Sequence, residues 1–280
     1  MYDWDSITYR ARLEGLSPHL PLKECLQLFV LDYLFKKGVF SHLVFQGGTA
    51  LRIVYGGVRY SEDLDFVLCR KDKMFLEGLP KTMEGLPSYL DKSLPFTREI
   101  KLKRQKETPG FLRFTLIVKV EGLEALDKTH IEIMNVPSYD NEIILIQRAD
   151  IPVHPAVRVE TKKEILSDKY CAFGSRQYVK GRDIWDIHFL TKNTGMELDK
   201  EGETLVKKKI ADYGFTPREF KDRYQKNLSL FREKGNEILV LEMERFLPRS
   251  YQESYKEEYA KVTGHVLKLL NRFYDEVLGS

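Results

Sequence analysis

Leu43-Val44-Phe45-Gln46-Gly47-Gly48-Thr49 and, a short spacer later, Asp63-Leu64-Asp65-Phe66-Val67-Leu68 are the two most informative segments of this 280-residue chain. Leu43, Val44 and Phe45 make a brief apolar run that reads as a buried strand. Gly47 and Gly48 then allow a tight turn in which backbone can approach a ligand with no side chain between. Thr49 reads as the N-cap of a helix over residues 50–55, whose first amides would face an anion beside the turn, and phosphate is the natural guest. A second turn at Gly56-Gly57 leads into residues 63–68, where strand alternation puts Asp63 and Asp65 on one face and Leu64 and Phe66 on the other. Two carboxylates so spaced suit Mg²⁺, a hard ion that takes oxygen ligands and fills its octahedron with phosphates. By itself a Gly-Gly pair is ordinarily just a turn, and Asp-x-Asp ordinarily a solvated strand edge. Their order along the chain is what points to a metal and triphosphate site. A Walker-type loop is disfavoured, because no Gly-Lys-Thr/Ser follows Gly47-Gly48-Thr49.

The combination of strand, Gly-Gly-Thr, helix and Asp-x-Asp on a second strand resembles the signature of the DNA polymerase beta superfamily of nucleotidyltransferases. That resemblance implies an α/β (α+β) fold, a mixed sheet with flanking helices, and a third carboxylate on a neighbouring strand. Glu132 is the best candidate. It lies in Thr129-His130-Ile131-Glu132-Ile133-Met134, where Ile131 and Ile133 face one side and His130, Glu132 and Met134 the other. The run Phe111-Leu112-Arg113-Phe114-Thr115-Leu116-Ile117-Val118 supplies an antiparallel partner across a loop containing Gly122. A charge in mid-strand marks a sheet edge or a site, and beside Asp63 and Asp65 the site reading prevails.

A second constellation begins at Lys163-Glu164-Ile165-Leu166-Ser167-Asp168-Lys169-Tyr170-Cys171-Ala172-Phe173 and continues with Arg176 and Arg182-Asp183-Ile184-Trp185-Asp186-Ile187. Both runs read as helices, with Asp183 and Asp186 one turn apart. Any one of these charges would pass as ordinary helix surface. As a set they closely resemble the later motifs of one superfamily branch, the abortive-infection AbiEii/AbiGii nucleotidyltransferase toxins, whose first motif matches Gly47, Gly48, Thr49, Asp63 and Asp65. The resemblance spans roughly residues 40–190. It implies that Asp63 and Asp65 hold Mg²⁺, with Glu132 as third ligand, and that Lys169 contacts the nucleotide's phosphates. Asp186 would be a catalytic or site-organising carboxylate. Arg59, beside the carboxylate strand, would add a cation to the nucleotide site. The resemblance further implies a nucleoside triphosphate (NTP) substrate, an RNA acceptor such as a tRNA 3′ end, and a toxin countered by a separately encoded antitoxin.

Composition accommodates this reading without carrying it. Hydrophobic residues make up 42% of the chain and charged residues 31%, which describes a globular protein able to bury a core. No apolar run is long enough for a membrane span, and Met1-Tyr2-Asp3-Trp4-Asp5 does not resemble a signal peptide, so a cytoplasmic location is expected. Cys25, Cys69 and Cys171 are scattered and odd in number, as befits reduced thiols. The net charge of +3 is too small to mark a general polyanion binder. Local clusters stand out more: Lys101, Lys103, Arg104 and Lys106 on an expected strand, Lys207-Lys208-Lys209 on an expected helix, and Arg176 and Lys180 near the second motif. Such runs are ordinarily solvated faces. Where they border the carboxylates they would follow an RNA backbone, with binding that weakens steeply in salt.

The pattern changes near residue 155. Before it, helices over residues 22–35, 49–55 and 73–90 alternate with strands at 43–45, 64–68, 96–102, 111–120, 129–136 and 142–146. From residue 162 nearly everything reads helical, with breaks at Gly181, Gly195, Thr216-Pro217 and Pro248 and a long amphipathic stretch over 251–278. The expected organisation is a catalytic α/β domain at 1–155 and a helical bundle at 156–280 that completes the active-site cleft. The expected chemistry is transfer of a nucleoside monophosphate to a hydroxyl with release of pyrophosphate. Two Mg²⁺ ions, or Mn²⁺ in their place, would assist, and Gly47, Gly48, Thr49 and Lys169 would hold the phosphates. The alternatives are a nucleotidyltransferase acting on a protein or small-molecule hydroxyl, and a nucleotide-binding interaction module without turnover.

Overall fold

The computed structural model describes residues 3–108 and 110–279, with the side chains of Lys106 and Glu107 set aside. The basic residue expected at Lys106 therefore lies outside the described side chains, as do Met1 and Tyr2 of the N-terminal reading. The chain separates into two compact units, one comprising residues 1–56 and 60–160, the other 57–59 and 161–280.

The first unit opens with helices α1 (Trp4–Glu14) and α2 (His19–Lys36). Strand β1 (Leu43–Gln46) follows and runs directly into α3 (Gly47–Ile53), and β2 spans Leu64–Leu68. Helices α4 (Lys73–Met83) and α5 (Leu86–Ser93) precede the long strands β3 (Thr97–Thr108), β4 (Phe111–Val120) and β5 (Asp127–Pro137). Strands β6 (Asn141–Leu145) and β7 (Ala156–Glu160) complete the unit. Among the described residues the strands form one mixed sheet in the order β3-β4-β5-β2-β1-β7-β6. β2 lies parallel to β5, β1 parallel to β7, and β1 and β2 are antiparallel. One face of the central strands is apolar: Phe45, Leu64, Phe66, Phe114, Ile131 and Ile133 are all 3% exposed or less. That is the period-2 pattern of a sheet with one side packed.

Two details differ from the sequence reading. The helix expected over 73–90 is two helices divided at Gly85, where Pro87 in the first turn of α5 has no N–H to continue the ladder of α4. Strand β7 was not anticipated, although Val157 and Val159 flanking Arg158 carry the alternation of a strand. Its place beside β1 puts it in the sheet and not in the helical part.

The second unit holds α6 (Lys162–Ser175), α7 (Gly181–His188), α8 (Lys200–Asp212), α9 (Pro217–Phe246), α10 (Arg249–Tyr255) and α11 (Tyr259–Phe273), with π-helical turns at Phe189–Asn193 and Tyr274–Leu278. Thr216 and Glu219 form a reciprocal capping box at the head of α9, with Pro217 in its first turn. Tyr170, Phe173, Phe220, Tyr224 and Phe273 pack ring on ring at centroid distances of 4.9–5.9 Å. The stretch expected to be one amphipathic helix over 251–278 is broken between α10 and α11. Lys209, read as part of a surface run, is instead fully buried, bonded to Glu164 at 2.7 Å and Asp168 at 2.8 Å.

Candidate active site

β1 ends where the glycines begin, and the junction fixes the position of the backbone against β2. Gly47 adopts φ +78°, a left-handed value that side chains other than glycine rarely take. A Cβ at Gly47 would lie 3.2 Å from Asp65 Oδ2, so glycine is needed for space as well as for conformation. Gln46 pairs with Asp65 in the β1–β2 register. Thr49 differs from its expected role. It is not the helix cap, since α3 starts at Gly47; it is buried, and its hydroxyl donates to the carbonyl of Asp63. The glycine turn and the carboxylate strand are thereby tied at both ends, through Gln46 against Asp65 and through Thr49 against Asp63.

Asp63 and Asp65 are both half-buried. Asp63 immediately precedes β2, and its Oδ1 accepts from the His130 backbone N–H at 3.3 Å. Asp65 is the Cα partner of Glu132 across the parallel β2–β5 pair, so the two side chains share a face of the sheet. Glu132 in turn pairs with Arg113 on β4, whose Nη2 lies 2.6 Å from Glu132 Oε1. His130 Nδ1 lies 2.9 Å from Thr115 Oγ1 on the same face. Three acidic positions and one arginine therefore meet on neighbouring strands of one unit. The donor set is that of a hard divalent cation, and Mg²⁺ characteristically takes only one or two protein carboxylates with water and phosphate oxygens completing its shell. Asp63 and Asp65 fit that role. Among the described residues no three His, Cys, Asp or Glu side chains already converge on one point, and Glu132 is engaged by Arg113.

The second constellation is a buried ion network inside the helical unit. Asp186 on α7 receives Arg59 in a bidentate grip, Nε at 2.7 Å and Nη2 at 2.5 Å. Lys169 Nζ on α6 lies 2.9 Å from Asp183 Oδ1 and 2.8 Å from Asp186 Oδ2. Arg176 Nε sits 3.0 Å from Asp183 Oδ2, close enough for an ion pair though not aligned for a hydrogen bond. Arg59, Lys169, Asp183 and Asp186 are each at most 7% exposed. Burial opposes the ionisation of Asp183, yet Lys169 and then Arg176 outweigh it and hold the carboxyl far below its usual range. Burial likewise disfavours the Lys169 ammonium, and the two aspartates more than restore it. In this network each of the two arginines and the lysine lies within reach of an aspartate.

Arg59 lies in the sequence between the glycine turn and Asp63, but it belongs to the helical unit through this network. Its partner could not have been read from the sequence, which gives no sign that residues 59 and 186 meet. The sequence reading also passed over Arg113, although the register of two alternating strands would have placed it opposite Glu132. A further buried cluster in the first unit was not foreseen. Glu24 on α2 is 1% exposed and is contacted by Arg52 of α3 at 2.6 Å and by Arg10 and Arg148 at 2.7 Å each. It anchors the helix that carries the glycine turn.

The family model described as nucleotidyl transferase AbiEii toxin, type IV toxin–antitoxin system, matches residues 30–272. No curated protein sequence matches the chain. Among solved structures, a Helicobacter pylori protein provisionally titled a nucleotidyltransferase aligns with a TM-score of 0.53 at 20% identity, over 93% of this chain and 98% of that one. JHP933 from Helicobacter pylori aligns with a TM-score of 0.52 at 21% identity, over 93% and 95%. At such identities the structural likeness speaks for the fold.

Proposed function

The chain belongs to the AbiEii family of nucleotidyl transferase toxins of type IV toxin–antitoxin systems, and from this premise we propose that it is a Mg²⁺-dependent enzyme transferring a nucleoside monophosphate to an RNA hydroxyl. The observation that carries the reading is the register of Asp65 against Glu132, with Gly47 forced by its own φ to lie against Asp65. Backbone amides at Gly47 and Gly48 would receive the terminal phosphates, since the turn carries no side chain to exclude them. Asp63 and Asp65 would hold the cation, which when bound supplies charge neutralisation at the phosphates and a more acidic acceptor hydroxyl. Glu132 would accept the proton of the attacking hydroxyl, released for this from Arg113 as substrate enters. The bond formed joins the acceptor oxygen to the α-phosphorus, the bond broken leads to pyrophosphate, and the hydroxyl proton passes to the base.

Thr49 would act by holding the Asp63 carbonyl in place, not by touching phosphate. Arg59, Lys169 and Asp186 we assign as positioning residues, because their charged groups are buried and satisfied by one another. RNA is favoured as acceptor over a protein or small molecule by the basic strand β3. The register sets Lys101 and Lys103 on the face that bears His130 and Glu132. An antitoxin would then act on the outcome in the cytoplasm. The deciding experiment incubates the protein with Mg²⁺, each labelled NTP in turn and total RNA, beside an Asp65→Ala control. Label entering RNA only with the intact protein is the expected result. Label in protein instead, or equal labelling by the variant, would overturn the assignment.

A further inference from the structure

The helical unit contains a cavity that the proposed catalytic residues do not line. It measures about 710 Å³ and is lined by His188, Lys192, Tyr255, Lys261, His265 and Lys268, among others. A cavity of this volume is in the range of small-molecule sites. Its walls come from two directions. The end of α7 and the π-helical turn after it present His188 and Lys192, one turn apart, while α11 presents Lys261, His265 and Lys268 on one face at helical spacing. The two imidazoles meet edge to face at 5.7 Å, and the Tyr255 ring packs against Trp185 at 4.9 Å and His188 at 6.4 Å.

The electrostatics of this cavity are unbalanced. Its one carboxylate, Glu258, is paired with Lys261 at 2.6 Å. Lys192 and Lys268 form no ion pair among the described residues, so two ammonium groups flank a cavity with no anion to meet them. His188 Nδ1 is buried without a hydrogen-bond partner. His265 can be assigned a tautomer: the Thr191 hydroxyl donates its single proton to the Ile187 carbonyl at 2.7 Å, so it accepts from His265 Nε2–H at 2.9 Å. That leaves His265 Nδ1 as a proton acceptor. A cavity with two unpaired lysines, two imidazole nitrogens able to become donors and an aromatic wall has the donor set of a phosphate site beside a place for a planar ring.

We propose that this cavity is a phosphate-binding site, separate from the carboxylates, which takes a nucleotide phosphate between Lys192 and Lys268 with the base against Tyr255. The phosphate can belong to a free nucleotide or to the end of an RNA strand, and the chemistry of capture is the same. Binding is coupled to protons. Around His188 and His265 stand Lys192 from the π-helical turn, Tyr255 from α10, Glu258 from the segment after it, and Lys261 and Lys268 from α11. Burial first, then His265 and Lys192, lower His188 to about 4, and burial with Lys192 and Lys268 lowers His265. Both imidazoles are therefore neutral without ligand. An entering phosphate reverses the field and draws a proton onto them, so affinity rises as pH falls.

The test is calorimetric titration of the full-length protein in chelator, so that no divalent ion brings phosphate to Asp63 and Asp65. The probes are inorganic phosphate, adenosine monophosphate and a 5′-phosphorylated trinucleotide. Binding is expected to weaken about tenfold for each lysine removed in Lys192→Gln and Lys268→Gln. With the probe held as its monoanion, it should tighten with proton uptake as pH falls from about 6 to about 5, lose that pH response in His188→Gln/His265→Gln, and persist in Asp65→Asn. Tighter binding of the mononucleotide than of the trinucleotide identifies a free nucleotide as the source, and the reverse identifies an RNA end. Absence of binding by all three probes at about 10 mM, or undiminished binding in the double lysine variant with an unchanged unfolding temperature, overturns the proposal. Persistence in Asp65→Asn separates this site from the catalytic one, so either reading can fail alone.

Discussion

Gly47 shows how much one residue can be asked to do. It turns the chain at φ +78° and leaves 3.2 Å where a methyl group would meet Asp65 Oδ2. Gly47→Ala should therefore cost about 1–3 kcal/mol in stability from the left-handed conformation, and transfer should fall by more than the stability loss explains, because Asp65 must move. Unfolding temperature and label incorporation measured on the same preparation check both parts. Asp63→Asn and Asp65→Asn should do the opposite, abolishing transfer with little change in unfolding temperature, since the amide keeps an oxygen acceptor and the volume but removes the charge a cation needs. Glu24 makes the residue-scale case for pH. Burial raises its pKa, but Arg52, Arg10 and Arg148 outweigh this and depress it to about 2 from an unfolded value of 4.5. A depressed carboxylate stabilises above its unfolded pKa and loses that contribution as pH falls through the folded one. The protein should thus lose about 3 kcal/mol from this group between about pH 4.5 and about pH 2. Glu24→Gln, weaker at neutral pH, should show a flatter decline in chemical-denaturation curves across that window.

At the level of elements, α6 and α8 are joined through one buried lysine. Lys209 is 0% exposed between Glu164 and Asp168. Truncating it to alanine leaves the buried Glu164 facing the partly buried Asp168 with no cation between them, which should cost about 3 kcal/mol. Replacing all three by apolar residues should restore most of that loss, and equilibrium unfolding of both variants decides whether the charges or the volume matter. The same triad shows where sequence reading stops. Lys207-Lys208-Lys209 reads as a surface run because sequence gives the helix period but not which side a neighbouring helix covers, and α8 meets α6 across Lys209. Strand alternation, by contrast, needs no neighbour to be legible. β1, β2, β4 and β5 follow from it, and with them the shared face of Asp65 and Glu132. β7 was readable by the same rule and was passed over. The break at Gly85 was readable too, since Gly85 and Pro87 stand together and a proline cannot continue a helix ladder. Of the site, the glycines and carboxylates announce themselves by spacing and Arg113 opposite Glu132 follows from strand register, whereas Arg59 with Asp186 is a tertiary fact.

For the molecule as a whole, the sum of charge is too small to steer a polyanion, with 45 basic against 42 acidic side chains. The proposed contact with RNA would then have to come from where the charges are placed. β3 sets Lys101 and Lys103 in register with Ile117 and Thr115 of β4, and β4 in turn pairs with the strand that carries Glu132. Each phosphate neutralised by such a lysine releases condensed counterions, so transfer to RNA should fall with salt on a log–log slope that counts the contacts. Lys101→Gln/Lys103→Gln should make that slope shallower by about 1 for each lysine in contact, while the dependence on NTP concentration stays unchanged. This separation is diagnostic because the proposed function sets NTP at the glycine turn and RNA at the outer strand. A slope unaltered in the double variant would place the acceptor away from β3 and remove the argument for RNA over a smaller hydroxyl. A rise in the NTP requirement would show that these lysines serve the nucleotide instead.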